Sequence, residues 1–265
     1  MEVPDIYKHR IKGHTSTFYV PNFITEAEEE YLTRKIVESS QHKWKNLANR
    51  RLQLWGGEVT PNGILLSQPM PSFVDKYPDI ISRLRDMGAF QNSPHGAPNH
   101  IILNEYLPGQ GIMPHQDGPR YHPVVATISL GSHCVFHYYQ YKTEDGHVTK
   151  EPSSVPDGEG KSIDSTPVLS VLLERRSVVI SSGYMYTDRL HGIQEAEEDF
   201  INCVPAAETP MDSCSRFGIG NFDLLGDEDM KQAIEKGEPL KRETRYSLTC
   251  RDVGRVSKAN HLFCT

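Results

Sequence analysis

The sequence predicts a mainly β (α+β) domain, an antiparallel sandwich or jelly roll with some helix near its start. Three observations carry this. From His100 onward, short runs rich in β-branched and aromatic residues recur at 100–106, 124–130, 134–141, 168–173, 177–181 and 244–252. Pro/Gly turns such as Leu107-Pro108-Gly109-Gln110-Gly111 separate them. No helical apolar period alternates with the runs, whereas a parallel sheet needs crossover helices between its strands.

Before His100 the texture is mixed. Thr17–Val20 reads as a short strand stopped by Pro21. Thr25-Glu26-Ala27-Glu28 has capping-box spacing, in which a Thr hydroxyl and a Glu carboxylate satisfy free amides at a helix start. Ala27, Tyr31, Leu32 and Ile36 then keep helical spacing to about Ser39. A second helix is predicted over Pro71–Met87, with Phe73, Tyr77, Ile80, Ile81 and Leu84 as its buried stripe. Residues 142–167 are polar and rich in Pro, Gly and Ser, an exposed loop. Residues 195–243 exceed the usual length of a structureless loop, and Met230–Lys236 within them has helical character.

Composition narrows the class. The 265 residues, 37% apolar and 24% charged, suit one large domain or two small ones. No apolar run approaches the roughly 18 residues of a membrane span. The start, Met1-Glu2-Val3-Pro4-Asp5-Ile6, lacks a basic segment followed by an apolar one, so no signal peptide is expected. Five scattered cysteines without a Cys-x-x-Cys pair argue against a disulfide scaffold or structural zinc and for a reducing compartment. The net charge of −7 is uneven: residues 195–243 hold 13 acidic and 5 basic side chains, leaving the rest nearly neutral. The interval 34–51 is basic, with Arg34, Lys35, Lys43, Lys45, Arg50 and Arg51 against Glu38 alone. The acidic total argues against broad gripping of a nucleic acid backbone, while a local basic patch still permits contact.

Candidate chemistry begins at His115-Gln116-Asp117. On an extended segment, residues two apart share a face, so an imidazole and a carboxylate can converge on one ion. His191, in Arg189-Leu190-His191-Gly192-Ile193, offers a third ligand. Two histidines and one carboxylate suit Fe(II) and leave positions open for substrates. With 12 His and 15 Asp in the chain, one such triplet is ordinary by itself. The strand Arg245-Tyr246-Ser247-Leu248-Thr249-Cys250-Arg251 aligns two guanidiniums and two hydroxyls on one face. That array is either a solvent-facing strand or a clamp for a dicarboxylate, because Arg forks onto carboxylates. Asn104 and Tyr106, ahead of a Pro-Gly turn, share a face as well. His133 and His137 lie about 13 Å apart along a strand, too far for one ion, and read as structural.

The order Asn-x-Tyr, His-x-Asp, distal His, Arg-x5-Arg is what gives the motifs weight. The chain resembles the AlkB-like Fe(II)/2-oxoglutarate-dependent dioxygenases. The matching text is Tyr19–Ile24 with Glu28–Leu32, Arg51–Gly57, the long run Asn99–Pro119, Thr127–Ser132, Leu190–Ile193 and Arg245…Arg251. The resemblance covers most of residues 15–193 and 244–256. It implies a double-stranded β-helix jelly roll with an N-terminal helical extension. The division implied is a single dioxygenase domain over 1–265. In it, 1–95 form a strand-and-helix extension that can serve as a substrate lid, 96–193 and 244–256 the core, and 195–243 an acidic insertion. The intervals 142–167 and 195–243 have no counterpart in the family pattern.

Carried over residue by residue, the resemblance makes His115, Asp117 and His191 the iron ligands. Asn104, Tyr106, Arg245, Ser247 and Arg251 would bind 2-oxoglutarate. The implied reaction consumes O2 and 2-oxoglutarate, releases succinate and CO2, and hydroxylates a nearby C–H bond; an N-methyl target then leaves as formaldehyde. The expected substrate is an alkylated base in single-stranded or flipped-out DNA or RNA. Lys43, Lys45, Arg50, Arg51 and Trp55 are the candidate substrate contacts, offering phosphate pairing and stacking. Two alternatives stay open: a nucleic-acid- or protein-binding member with weak turnover, and a dioxygenase acting on a protein side chain. A monomer is expected, without membrane attachment, in nucleus and cytoplasm, since no localisation signal is evident.

Overall fold

The computed structural model describes residues 5–142, 162–201 and 218–258. Most of the predicted loop 142–167 and the middle of the acidic stretch lie outside the described residues. In chain order the strands are β1 (Thr17–Val20), β2 (Lys45–Leu47), β3 (Arg50–Trp55), β4 (Gly57–Val59), β5 (Ile64–Ser67), β6 (His100–Tyr106), β7 (Ile112–His115) and β8 (Val124–Leu130). There follow β9 (Cys134–Tyr139), β10 (Leu169–Leu173), β11 (Val178–Ser182), β12 (Leu190–Ile193), β13 (Glu198–Asp199), β14 (Leu240–Lys241), β15 (Arg245–Arg251) and β16 (Arg255–Lys258). The helices are α1 (Glu26–Val37), α2 (Ser72–Asp75), α3 (Ile80–Asp86), α4 (Gly183–Thr187) and α5 (Glu228–Glu235).

Two sheets form a jelly roll. The larger has seven strands in the order β1-β11-β8-β15-β6-β3-β2, and the smaller has four in the order β10-β9-β12-β7. Both are antiparallel throughout, as strands without crossover helices require. A three-stranded sheet, β16-β5-β4, sits apart, and its β16–β5 pair is parallel.

The large sheet is buried on both faces, but by different things. Its outer face (Ile101, Leu103, Ala126, Ile128, Leu248, Cys250) packs with Leu32 and Ile36 of α1 and Ile80 and Leu84 of α3. The alternate residues, many of them polar, point toward the small sheet. Thr25 caps α1 as the spacing predicts: its Oγ1 accepts from the Glu28 N–H (3.2 Å), and its own N–H donates to Glu28 Oε2 (2.8 Å). Arg83 of α3 donates twice to the same carboxylate (2.7 and 3.0 Å), tying the two helices together.

Three expectations change. The helix predicted over Pro71–Met87 is split into α2 and α3, because Pro78 offers no N–H and drives Tyr77 out of helical geometry. Asp79 then restarts the chain from a left-handed conformation (φ 38°), accepting from the Ser82 N–H (3.0 Å). The N-terminal segment is also no helical appendage: β1 pairs with β11 and β3 with β6, inside the main sheet. Finally, the described parts of the acidic stretch are built in. Ile219, Leu225, Ile234 and Leu240 join the core under the small sheet, each contributing about 1.5–3 kcal/mol. The Asn221 side chain both donates to and accepts from the Leu172 backbone (2.8 and 2.9 Å). Arg242 forks onto buried Asp199 (2.6 and 2.7 Å).

Candidate metal and co-substrate site

His115 ends β7, and its register partner across the small sheet is His191 of β12. The rings lie 4.5 Å apart between centroids. Two residues on, in the loop after β7, Asp117 comes within 3.9 Å of His191 Nε2. One ligand atom from each of the three lies within 4.8 Å of the other two, the donor set that suits Fe(II) with open positions. The loop is anchored from α4: Gln116 Nε2 donates to the Thr187 carbonyl (2.9 Å), and Tyr186 donates its hydroxyl to the Gly118 carbonyl (3.0 Å).

Each ligand is prepared by its surroundings. His115 Nδ1 donates to the Met113 carbonyl (2.9 Å), which leaves Nε2 with its lone pair for a metal. Burial lowers the His191 pKa to about 4, so the ring is neutral near pH 7. Phe136 stacks on it at 5.2 Å and 20°. Burial pushes the Asp117 carboxyl up, but Arg251 and His191 pull it down further, and the net position is below the usual carboxylate range.

The floor of the site is the inner face of the large sheet. Across β15 and β6, Arg245 pairs in register with Tyr106, Ser247 with Asn104 and Arg251 with His100. On the other side, Ser247 pairs with Ser129 and Thr249 with Thr127 of β8. Asn104, Tyr106, Thr127, Arg245, Ser247, Thr249 and Arg251, with His115, His191 and Asp117, line one cavity of about 230 Å³. Three arginines (Arg50, Arg245, Arg251) face a single carboxylate there.

The arginines are unfinished. Arg245 is 3% exposed and Arg251 5%. Arg245 Nη2 donates to Ser129 Oγ (2.8 Å), and Arg251 Nη2 pairs with Asp117 Oδ1. Nε and Nη1 of both, and Asp117 Oδ2, have no partner among the described residues. A buried group left without its hydrogen bond costs about 1–3 kcal/mol, and more if charged. The residues therefore fit a cation at Asp117 and a small dianion between the guanidiniums.

Of the residues expected to touch substrate, most are otherwise engaged. Trp55 is 5% exposed, meets Phe73 edge-on at 5.3 Å and donates Nε1–H to Gln53, so it belongs to the core and offers no stacking face. Arg51 forks onto Glu105 (2.6 and 2.7 Å) and lies 4.3 Å over Trp44. Lys45 pairs with Glu58 (2.8 Å). Arg50 turns inward and donates to Asn104 Oδ1 (3.1 Å). Lys43 remains exposed. Ser129 and Phe136 are site residues the sequence reading did not select. Thr127-Ile128-Ser129 does alternate polar and apolar, and that was the available signal for Ser129. His133 and His137 bond to the Leu240 carbonyl (3.3 Å) and Ser170 Oγ (2.8 Å).

A jelly roll presenting two histidines and an aspartate beside a dicarboxylate-sized cationic cavity defines an oxygenase of the iron and 2-oxoglutarate type. The chain belongs to the 2OG-Fe(II) oxygenase superfamily, whose profile matches residues 16–251. Members use Fe(II), 2-oxoglutarate and O2, which makes this protein an oxidoreductase. It is 36% identical over 259 residues to the "Probable RNA/DNA demethylase ALKBH6" of Danio rerio, spanning 97% of this chain and 94% of that one. The "tRNA (carboxymethyluridine(34)-5-O)-methyltransferase ALKBH8" of Macaca fascicularis is 27% identical over 181 residues, 64% of this chain and 23% of that protein. Among solved structures, OsALKBH1 superposes with a TM-score of 0.45 at 15% identity, covering 89% of this chain and 96% of that one.

Proposed function

We propose that the protein removes alkyl groups from nucleic acid bases by oxidation, acting on single-stranded or flipped-out nucleotides. The observation that carries the reaction type is the approach of His115, Asp117 and His191 to within 4.8 Å beside two buried, under-bonded arginines. The nucleic acid substrate is supported by the likeness to a probable RNA/DNA demethylase over nearly the whole of both chains.

When bound, Fe(II) with 2-oxoglutarate and O2 supplies the oxidising power that hydroxylates a C–H bond and yields succinate and CO2. His115, Asp117 and His191 would hold the metal. Arg245 would fork onto the distal carboxylate of the co-substrate, with Tyr106 and Ser247 beside it. Asn104 is oriented for the same ligand by its bond from Arg50. Phe136, Ile112 and Ile193 form the apolar side of the cavity and keep bulk water from it. A hydroxylated N-methyl group then collapses to formaldehyde and the bare nitrogen without further help.

The test is aerobic incubation with Fe(II), 2-oxoglutarate and a panel of methylated single- and double-stranded oligonucleotides, beside methylated peptides, scored by mass. Loss of one CH2 from an oligonucleotide, matched by succinate, is expected. Demethylation or hydroxylation confined to the peptides would overturn the substrate assignment.

A further inference from the structure

We propose that a groove beside the reaction cavity seats the phosphodiester backbone of the substrate strand, with Arg120 and Arg255 as its cations. The proposal rests on the nucleic acid reading above and says where the strand lies.

The groove, about 530 Å³ in volume, runs between the turn joining β4 to β5, the loop that follows Asp117 and the start of β16. Its size falls in the range of specific ligand sites. Tyr121 lines both this groove and the reaction cavity, so a strand lying in one is a single side chain from the other. Tyr121 is itself held in place, stacked on His100 (5.9 Å, 27°) and under the Arg251 guanidinium (4.9 Å).

Charge points to the occupant. The groove is lined by two arginines and no carboxylate, on a chain whose net charge is −7. Both arginines are exposed, and among the described residues neither pairs with a carboxylate. Among the described residues, the hydrogen bond of the Arg255 side chain goes to the Asn62 carbonyl, through Nη2. Two cations of the 34–51 interval differ, since Lys45 and Arg51 are already paired with Glu58 and Glu105.

Geometry brings the two together at Gly63. Its φ is +70°, and a Cβ placed there would meet Arg255 Nη2 at 3.4 Å and the Arg120 Cα at 3.7 Å. Both arginines thus border one bare turn, and a side chain at Gly63 would intrude between them. Guanidiniums bind phosphate oxygens through paired N–H groups, and such contacts fix a strand's position without reading its sequence. The groove would therefore locate the strand while the cavity beyond Tyr121 receives the base.

Fluorescence anisotropy of an unmodified, labelled single-stranded oligonucleotide with the full chain, over a salt series, tests this. Each single-strand phosphate contact contributes about 0.7 to the slope of log K against log salt. The double variant Arg120→Ala, Arg255→Ala is expected to lose about 1.4 from that slope and to bind at least about tenfold more weakly. Arg120→Lys, Arg255→Lys should recover most of the slope, which a folding defect would not allow. Lys45→Ala, already paired with Glu58, should leave the slope unchanged. An unchanged slope in the double alanine variant overturns the groove while leaving the nucleic acid reading intact. If the wild type neither binds nor demethylates any oligonucleotide, the underlying reading fails and the groove falls with it. Arginine-dependent binding of an acidic peptide, with oligonucleotide binding indifferent to the arginines, would hand the groove to a protein partner.

Discussion

Arg251 donates through Nη2 to Asp117 Oδ1, so the last residue of β15 holds the carboxylate that stands beside the two imidazoles. The pairing spans 134 residues of sequence and joins the floor of the site to the loop after β7. It helps hold the Asp117 carboxyl below the usual carboxylate range despite deep burial, and Oδ2 has no partner among the described residues. The guanidinium also covers Tyr121, whose ring divides the cavity from the outer groove.

Replacing Arg251 with Met strands a buried carboxylate. The expected cost is about 3–5 kcal/mol of stability, the usual penalty for breaking a buried pair. Metal affinity should also fall roughly 10–100-fold, as it does when a ligand's supporting partner is lost. Urea unfolding and Mn(II) titration read the two effects separately. An unfolding midpoint equal to wild type would mean that Asp117 is supported by something else.

Arg245 is expected to set affinity for the co-substrate. Its Nε and Nη1 have no partner among the described residues, and Asn104, Tyr106 and Ser247 line the cavity beside it. Arg245→Gln removes a charge-assisted hydrogen bond worth about 1.5–3 kcal/mol, and the dissociation constant for 2-oxoglutarate should rise by one to two orders of magnitude. Arg245→Lys should recover only part of this, since an ammonium cannot form the fork. Anaerobic calorimetry with Mn(II) present measures both.

Trp55 should matter for folding and not for nucleic acid. Trp55→Ala removes a core side chain from between α2 and β3, at about 3–5 kcal/mol. Trp55→Phe keeps most of the packing and should bind oligonucleotides like wild type. A marked loss of binding in the Phe variant would return Trp55 to the substrate surface.

Asp199 makes stability sensitive to acid. Burial raises its pKa, but hydrogen bonds from Arg242 and His133 outweigh this and bring it to about 2. Its folded value lies below its unfolded one, so the stabilisation is complete above about pH 4 and is lost as pH falls through about 2. Roughly 2 kcal/mol should disappear over that window. In Asp199→Asn the slope of unfolding free energy against pH over the same window should flatten, although the variant is weaker at neutral pH because Arg242 stays buried without its partner. An identical slope in the variant would place the acid sensitivity elsewhere.

Much of this was legible in the residues. The capping box of α1 and the strands after His100 follow from local spacing, and Arg245 to Arg251 alternate as a strand must. The same alternation reads equally well as a solvent-facing strand, because sequence does not reveal that the polar side faces a second sheet. Helix α3 was masked by an apolar stripe that runs straight through Pro78, where backbone sterics override side-chain period. Within the basic interval 34–51, the pairing of Lys45 and Arg51 was not legible because their carboxylate partners, Glu58 and Glu105, come from other strands. Trp55 misled for a similar reason, since its burial depends on Phe73 of α2.

The central claim is that His115, Asp117 and His191 bind one ferrous ion whose open positions receive 2-oxoglutarate. Anaerobic addition of Fe(II) and 2-oxoglutarate should produce a visible charge-transfer band saturating at one equivalent of metal. His115→Ala should abolish both the band and substrate-stimulated succinate formation. A variant that keeps the wild-type band and turnover would contradict the account.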